Sequence, residues 1–198
     1  MSHADHTSDV DRILDFWFGA PGSDEYASLR KIWFAKDASF DRRIVETFSP
    51  LIEKALRGEL DDWGTDELSA LARILLLDQF TRNAFRGQAR AFAGDAQALA
   101  AASAMVGAKL DERLPPFMRA FVYLPFEHAE GMAMQDESVR LFSRLAATSP
   151  ELGSMLDFAK RHRDVIDTFG RFPHRNAALG RASTAAEVEY LSRPGSGF

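Results

Sequence analysis

Between Phe169 and Arg181 the chain reads FGRFPHRNAALGR, which gathers Arg171, His174, Arg175, Asn176 and Arg181 around two phenylalanines and a proline. An arginine presents a planar fork of N–H donors that fits a carboxylate or a phosphate, and an asparagine orients a ligand by donating and accepting at once. Histidine titrates near neutrality, so His174 is a donor when protonated and a base when not. From Phe158 to Arg181, six basic residues stand against Asp164 and Asp167, a local balance of +4 in a chain whose formal net charge is −5. Two readings stay open. The arginines form an anion pocket, or they pair with acids and hold helix ends in place.

A second stretch bears on that choice. FTRNAFRG at 80–87 echoes FPHRNAALG at 172–180, with Arg82, Asn83 and Gly87 matching Arg175, Asn176 and Gly180. Both follow a helical pattern, so a shared helix-exit turn accounts for the echo as well as a duplicated half does. Asp78 and Arg82, four apart on one helix face, predict a simple ion pair. Should the two turns converge, Arg82, Asn83, Arg171, His174, Arg175 and Asn176 would line one pocket for a small anionic ligand. Glu127, His128 and Glu130 follow YLPF, and His128 joins His174 as a candidate for proton transfer.

Other chemistries lack their signatures. The chain holds neither a His-Glu-x-x-His nor a paired Glu-x-x-His pattern, so no metal site is expected. Gly-x-Ser-x-Gly, the phosphate-binding Gly-x-x-x-x-Gly-Lys and the dinucleotide Gly-x-Gly-x-x-Gly are missing too, and no cofactor is expected. With no cysteine, thiolate nucleophiles and disulfides drop out, and a reducing compartment fits. No reaction follows from these residues.

The elements that must position them read as helices throughout. Of 198 residues, 46% are hydrophobic, enough for a sizeable core, and 16 Phe against three Trp and three Tyr predict a core filled largely by Phe. Strand alternation is nearly absent. The first helix is expected from an N-cap at Ser8 to Gly19, preceded by unordered residues. A second is expected over Tyr26–Phe34, and a third opens at Asp37 and is kinked or restarted at Pro50. Thr65 is read as the cap of a central buried helix carrying Leu71, Leu75 and Phe80, which join Phe121 and Phe169 in the expected core. An Ala-rich helix follows at 94–110, then helices near 135–147 and 151–168, and a last one opened by the capping box TAAE at Thr184. The expectation is a compact single all-α domain over residues 1–192, with a loose tail at 193–198.

Five ordered motifs carry a family resemblance: ILDFWFG at 13–19, WFAKDASFDRRI at 33–44, LLLDQFTRNAFRG at 75–87, YLPFEHAE at 123–130 and FGRFPHRNAALGRAST at 169–184. The chain resembles the bacterial proteins grouped as domain of unknown function 924. The resemblance implies an all-helical fold of antiparallel, tetratricopeptide-like helix pairs, and it brings no reaction, substrate or catalytic residue. Thr81 stands where the resembled motif carries proline.

A pI near 5.6 disfavours nucleic acid and anionic membranes as partners. The acidic start differs from a signal peptide and no apolar run is long enough for a membrane span, so a cytoplasmic protein is expected. The leading reading is an uncharacterised protein that binds a small anionic ligand; the alternative is a helical scaffold for a protein or peptide partner, with the same motifs serving structure.

Overall fold

The computed structural model describes residues 3–26 and 28–197. Among these the secondary structure is helical, with no strand. Helix α1 spans His3–Phe18, α2 Ala38–Leu56, α3 Glu67–Ile74, α4 Thr81–Ala84, α5 Asp95–Gly107, α6 Pro116–Glu127, α7 Met132–Thr148, α8 Gly153–Phe169 and α9 Ala185–Leu191. None of the described helices is long and apolar enough to cross a membrane. The chain divides into two compact units, one of residues 1–86 and 90–125, the other of residues 87–89 and 126–198.

The first unit is built on aromatic packing. Trp17 and Phe18 on α1 meet Trp33, Phe40, Phe80 and Phe121 with ring centroids 5.4–6.2 Å apart, and Trp33 meets Phe121 at 4.8 Å. Edge-on and tilted contacts dominate, as the ring quadrupole favours. Phe40, Ile44, Phe48, Leu51, Ile52 and Ala55 form the buried stripe of α2, whose Asp37 cap accepts from the amides of Ser39 at 2.8 Å and Phe40 at 2.9 Å. Leu71, Leu75, Phe80 and Phe121 are buried as expected, whereas Phe169 of the second unit is half-buried against Tyr190.

Four local expectations are corrected. Helix α1 starts at His3, not Ser8, because the lead-in contains neither Gly nor Pro to stop it. Helix α2 is not restarted at Pro50 but runs through it. The cap of α3 is Asp66, in extended conformation, since Thr65 closes a preceding 3₁₀ turn with helical backbone angles. Among the described residues of the segment expected as a helix over 26–34, the only helical element is a 3₁₀ turn at Lys31–Phe34. Its polar groups are drawn to the end of α1 instead. The Arg30 guanidinium donates to the carbonyls of Phe16 at 2.9 Å and Trp17 at 2.6 Å, and the Trp33 indole donates to Trp17 O at 2.8 Å. These bonds satisfy carbonyls that a helix end leaves open.

The central buried run is not one uniform helix. After α3, residues Leu75–Phe80 form a π-helical turn, fully buried, before α4 resumes the α-helical pattern. The Thr81 hydroxyl donates to the carbonyls of Leu76 at 2.6 Å and Leu77 at 2.8 Å. A wider helical turn loosens its own ladder, and the hydroxyl re-satisfies it.

In the second unit α7 and α8 lie side by side, joined by a 3₁₀ turn at Pro150–Leu152. Val165, Ile166 and Phe172 form a core cluster flanked by Met132, Phe169 and Tyr190. Residues 193–197, expected to be loose, carry bonds: Arg161 Nη2 donates to Gly195 O at 3.0 Å and Ser196 Oγ to Leu191 O at 3.1 Å. Phe198 lies outside the described residues.

Candidate functional site

Helix α8 ends at Gly170 in left-handed conformation, and its amide donates to Ile166 O at 2.8 Å. The chain then extends through Phe172 into a 3₁₀ turn at Pro173–Arg175, where proline is suited to the first position because no amide donor is needed there. Three amides of the bend have partners within the fold. Phe172 N donates to Glu130 Oε1 at 2.8 Å, Arg175 N to Phe172 O at 3.1 Å and Asn176 N to Pro173 O at 3.0 Å. These bonds commit the amides of Phe172, Arg175 and Asn176 within the fold.

Two arginines of the bend are clamped by carboxylates. Arg171 grips Glu187 with Nε on Oε1 at 2.6 Å and Nη2 on Oε2 at 2.8 Å, and also donates to Ala182 O. Glu187 is 2% exposed and closes the capping box of α9 with Thr184. The Arg171 bond, followed by the Thr184 amide, holds its carboxyl down to about 2. Arg181 makes the same two-pronged contact with Glu130 at 2.7 and 2.9 Å. Burial works against the charge on Glu130, but the Arg181 and Phe172 N–H bonds outweigh it and keep the carboxyl below its ordinary range. Asn176 is buried, donating to Ser183 Oγ at 3.0 Å and accepting from Arg181 Nε at 2.9 Å.

A different group of side chains converges on the Phe172 ring. Arg175, 5% exposed, lies 4.5 Å over its centroid and donates to the His128 carbonyl at 2.9 Å. The rings of His162 and His174 stand 5.5 and 5.6 Å from that of Phe172, and His128 is 6.4 Å from His162. His162, 5% exposed, sets Nδ1 3.0 Å from Glu127 Oε1 and 2.9 Å from Phe158 O. Both neighbours are acceptors, so in the neutral ring Nδ1 carries the proton and Nε2 is the basic atom. Burial drives the His162 pKa down to about 2; the Phe158 carbonyl opposes this, and His128, His174 and Arg175 add to the depression. Among the described residues no group of three or more His, Asp or Glu is arranged to hold a metal ion.

The matching turn of the first unit has its own partners. Arg82 pairs with Asp78 at 3.3 Å, as the four-residue spacing predicts, and with Asp95 at 2.8 Å. Asn83 donates to Asp41 Oδ1 at 2.7 Å, and Arg86 straddles the same carboxylate at 2.8 and 2.9 Å. Of the residues singled out from sequence, then, His128, Arg171, His174, Arg175 and Asn176 belong to the second unit, and Arg82 and Asn83 to the first. His162 and Glu127 come together although they stand 35 residues apart, a distance over which no local spacing signals the contact.

A family model described as "Bacterial protein of unknown function (DUF924)" matches residues 13–195. A solved structure of a protein of unknown function from Agrobacterium tumefaciens aligns with a TM-score of 0.80 at 39% sequence identity, covering 93% of this chain and 97% of that one. No curated protein matches.

Proposed function

The chain belongs to the DUF924 family of bacterial proteins of unknown function, and from that premise we propose that its second unit binds a small anionic ligand at the cluster of His128, His174 and Arg175. One observation carries this reading. Segments distant in sequence bring the imidazoles of His162 and His174 and the guanidinium of Arg175 against one buried ring, with His128 and Glu127 beside His162. Arg175 supplies a fixed charge, and the half-buried His128 and His174 are the groups that would exchange protons with a ligand. Arg171 and Asn176, expected to touch the ligand, serve in this reading as the frame that holds the bend, since their partners are Glu187, Ser183 and Arg181. The acids around Arg82 and Asn83 support a structural part for those two as well. The absence of cysteine fits action in a reducing compartment such as the cytoplasm.

The test is a thermal-shift series with sulfate, phosphate and citrate on the wild type and on His174→Asn. Ligand binding raises the melting point with ligand concentration over dissociation constant. The wild type is expected to rise and His174→Asn to stay flat at an unchanged baseline. No rise in the wild type with any anion sinks the reading. Arg175→Ala is a poor probe, because the buried Arg175 also packs on Phe172 and its loss would lower stability by itself.

A further inference from the structure

The second unit also carries a cleft of about 280 Å³, to which none of His128, His174 and Arg175 contributes. Arg161, Asp164 and Val165 of α8 form one wall, and Tyr190 of α9 with residues 193–196 forms the other. The spacing of the first three puts them on one face of their helix. The second wall is pinned by two bonds. Arg161 Nη2 donates to Gly195 O at 3.0 Å, where the chain turns with a φ of 76°, and the buried Ser196 hydroxyl donates to Leu191 O at 3.1 Å. The Tyr190 ring rests on Phe169 with centroids 5.1 Å apart.

The lining mixes three chemistries. Val165, Pro194 and the Tyr190 ring offer apolar surface, while the guanidiniums of Arg161 and Arg193 stand with the carboxylate of Asp164. Arg193 spends Nη2 on the exposed Glu189 at 2.6 Å, which leaves its Nε and Nη1 to donate. Among the described residues the Asp164 carboxylate and the Tyr190 hydroxyl make no hydrogen bond. A plain anion here would be repelled by Asp164, and a plain cation by the two arginines. A ligand bearing both signs meets a partner for each. The volume, just under the usual range of about 300–1,000 Å³ for ligand pockets, restricts it to a small molecule.

We propose that this cleft binds a small zwitterion with an apolar body, of the class of an aliphatic amino acid. Its carboxylate lies on Arg193 in the field of Arg161, its ammonium on Asp164, and its body on Val165, Pro194 and the Tyr190 ring. Burial, opposed by Arg161, raises the Tyr190 pKa above the ordinary phenol value, so its hydroxyl keeps the proton and adds a donor for the carboxylate. No bond of the ligand is made or broken. Because the two sites share no residue, this one succeeds or fails independently of the Phe172 cluster.

The probes are L-leucine and two relatives that each keep one charge: isocaproate, which lacks the ammonium, and isopentylamine, which lacks the carboxylate. The tyrosines of the chain are Tyr26, Tyr123 and Tyr190, so ring-labelled tyrosine gives three sets of signals, and Tyr190→Phe identifies the one at the cleft. The Tyr190 signal is expected to move saturably with L-leucine and to need about threefold more of either relative, the scale of one exposed ion pair. Asp164→Asn should erase the preference over isocaproate, and Arg193→Gln the preference over isopentylamine. Both positions are exposed, where such changes leave the fold intact. The proposal is overturned by a Tyr190 signal that L-leucine does not move, by either relative binding as well as L-leucine, or by a preference that survives its variant.

Discussion

Gly94 lies so close to the main chain at Leu77 that a β-carbon on it would fall 2.2 Å from the Leu77 carbonyl oxygen. The obstacle is backbone, and it belongs to the π-helical turn whose carbonyl also accepts from Thr81. Gly94→Ala is therefore expected to lower stability by about 1–3 kcal/mol, the range for overpacking a tight interior. Gly107, at the end of α5 with nothing near its β position, is the control: Ala there should be neutral or gain a few tenths of a kcal/mol, about the helix preference of Ala over Gly. Denaturant midpoints of the two variants decide it, and equal midpoints would show that the contact yields.

Thr81→Val should cost about 0.5–1.5 kcal/mol, because valine keeps the shape and removes the hydroxyl that serves Leu76 and Leu77. Leu75→Ala, in the fully buried turn itself, should cost about 2–5 kcal/mol. Urea unfolding of both would measure the ratio; a Leu75→Ala midpoint like the wild type would contradict its burial.

Acid should act in two stages. His162 is neutral in the fold down to about pH 2, whereas an exposed imidazole takes a proton near 6.5, so the unfolded chain binds the extra proton and stability falls as pH drops below about 6.5. Glu187 titrates near 2 in the fold against 4.5 when exposed, so its contribution is intact above about 4.5 and is lost on descending towards 2. Chemical denaturation across this range should show a decline already between pH 7 and pH 5 in the wild type. His162→Gln should flatten that first stage and keep the second. A wild type that is equally stable at both pH values would contradict a buried neutral His162.

Arg171→Gln is expected to lower the melting point and to speed amide exchange in α9, since Glu187 would keep its capping bond but lose its counter-charge in a buried position. Exchange monitored over residues 185–191 is the readout. Unchanged protection there would mean that the pair contributes nothing to holding α9.

How much of this was legible in the sequence depended on the range over which each signal acts. Thr184 with Glu187, Asp37 before α2 and the four-residue pair Asp78–Arg82 are short-range patterns, and each appears as read. The segment 26–34 misled because the carbonyls of Phe16 and Trp17 compete for Arg30 and Trp33, which no local window reveals. Thr65 and Asp66 are both good caps by type, and only the backbone of the preceding 3₁₀ turn decides between them. The basic bend was visible as a reversal of charge, but its partners Glu130 and Glu187 are far from it along the chain. The echo between the two Arg-Asn stretches is matched in form at its glycines alone: Gly87 and Gly180 both take positive φ, 80° and 65°, whereas Arg82 and Asn83 lie inside α4 and Arg175 ends a 3₁₀ turn. It was silent about which acids each turn would meet.

The double duty of Glu187 has a consequence for the order of events on the ribosome. Its carboxylate both closes the first turn of α9 and receives Arg171, and residues 184–187 emerge after the bend at 171–176 has been made. Until then Arg171 lacks its buried partner, and the bend is held by the contacts of Phe172 and Arg181 with Glu130 and of Arg175 with the His128 carbonyl. The clasp on Glu187 is thus the last of these contacts to form, and a product cut short before Thr184 would carry every histidine of the Phe172 cluster and still lack it.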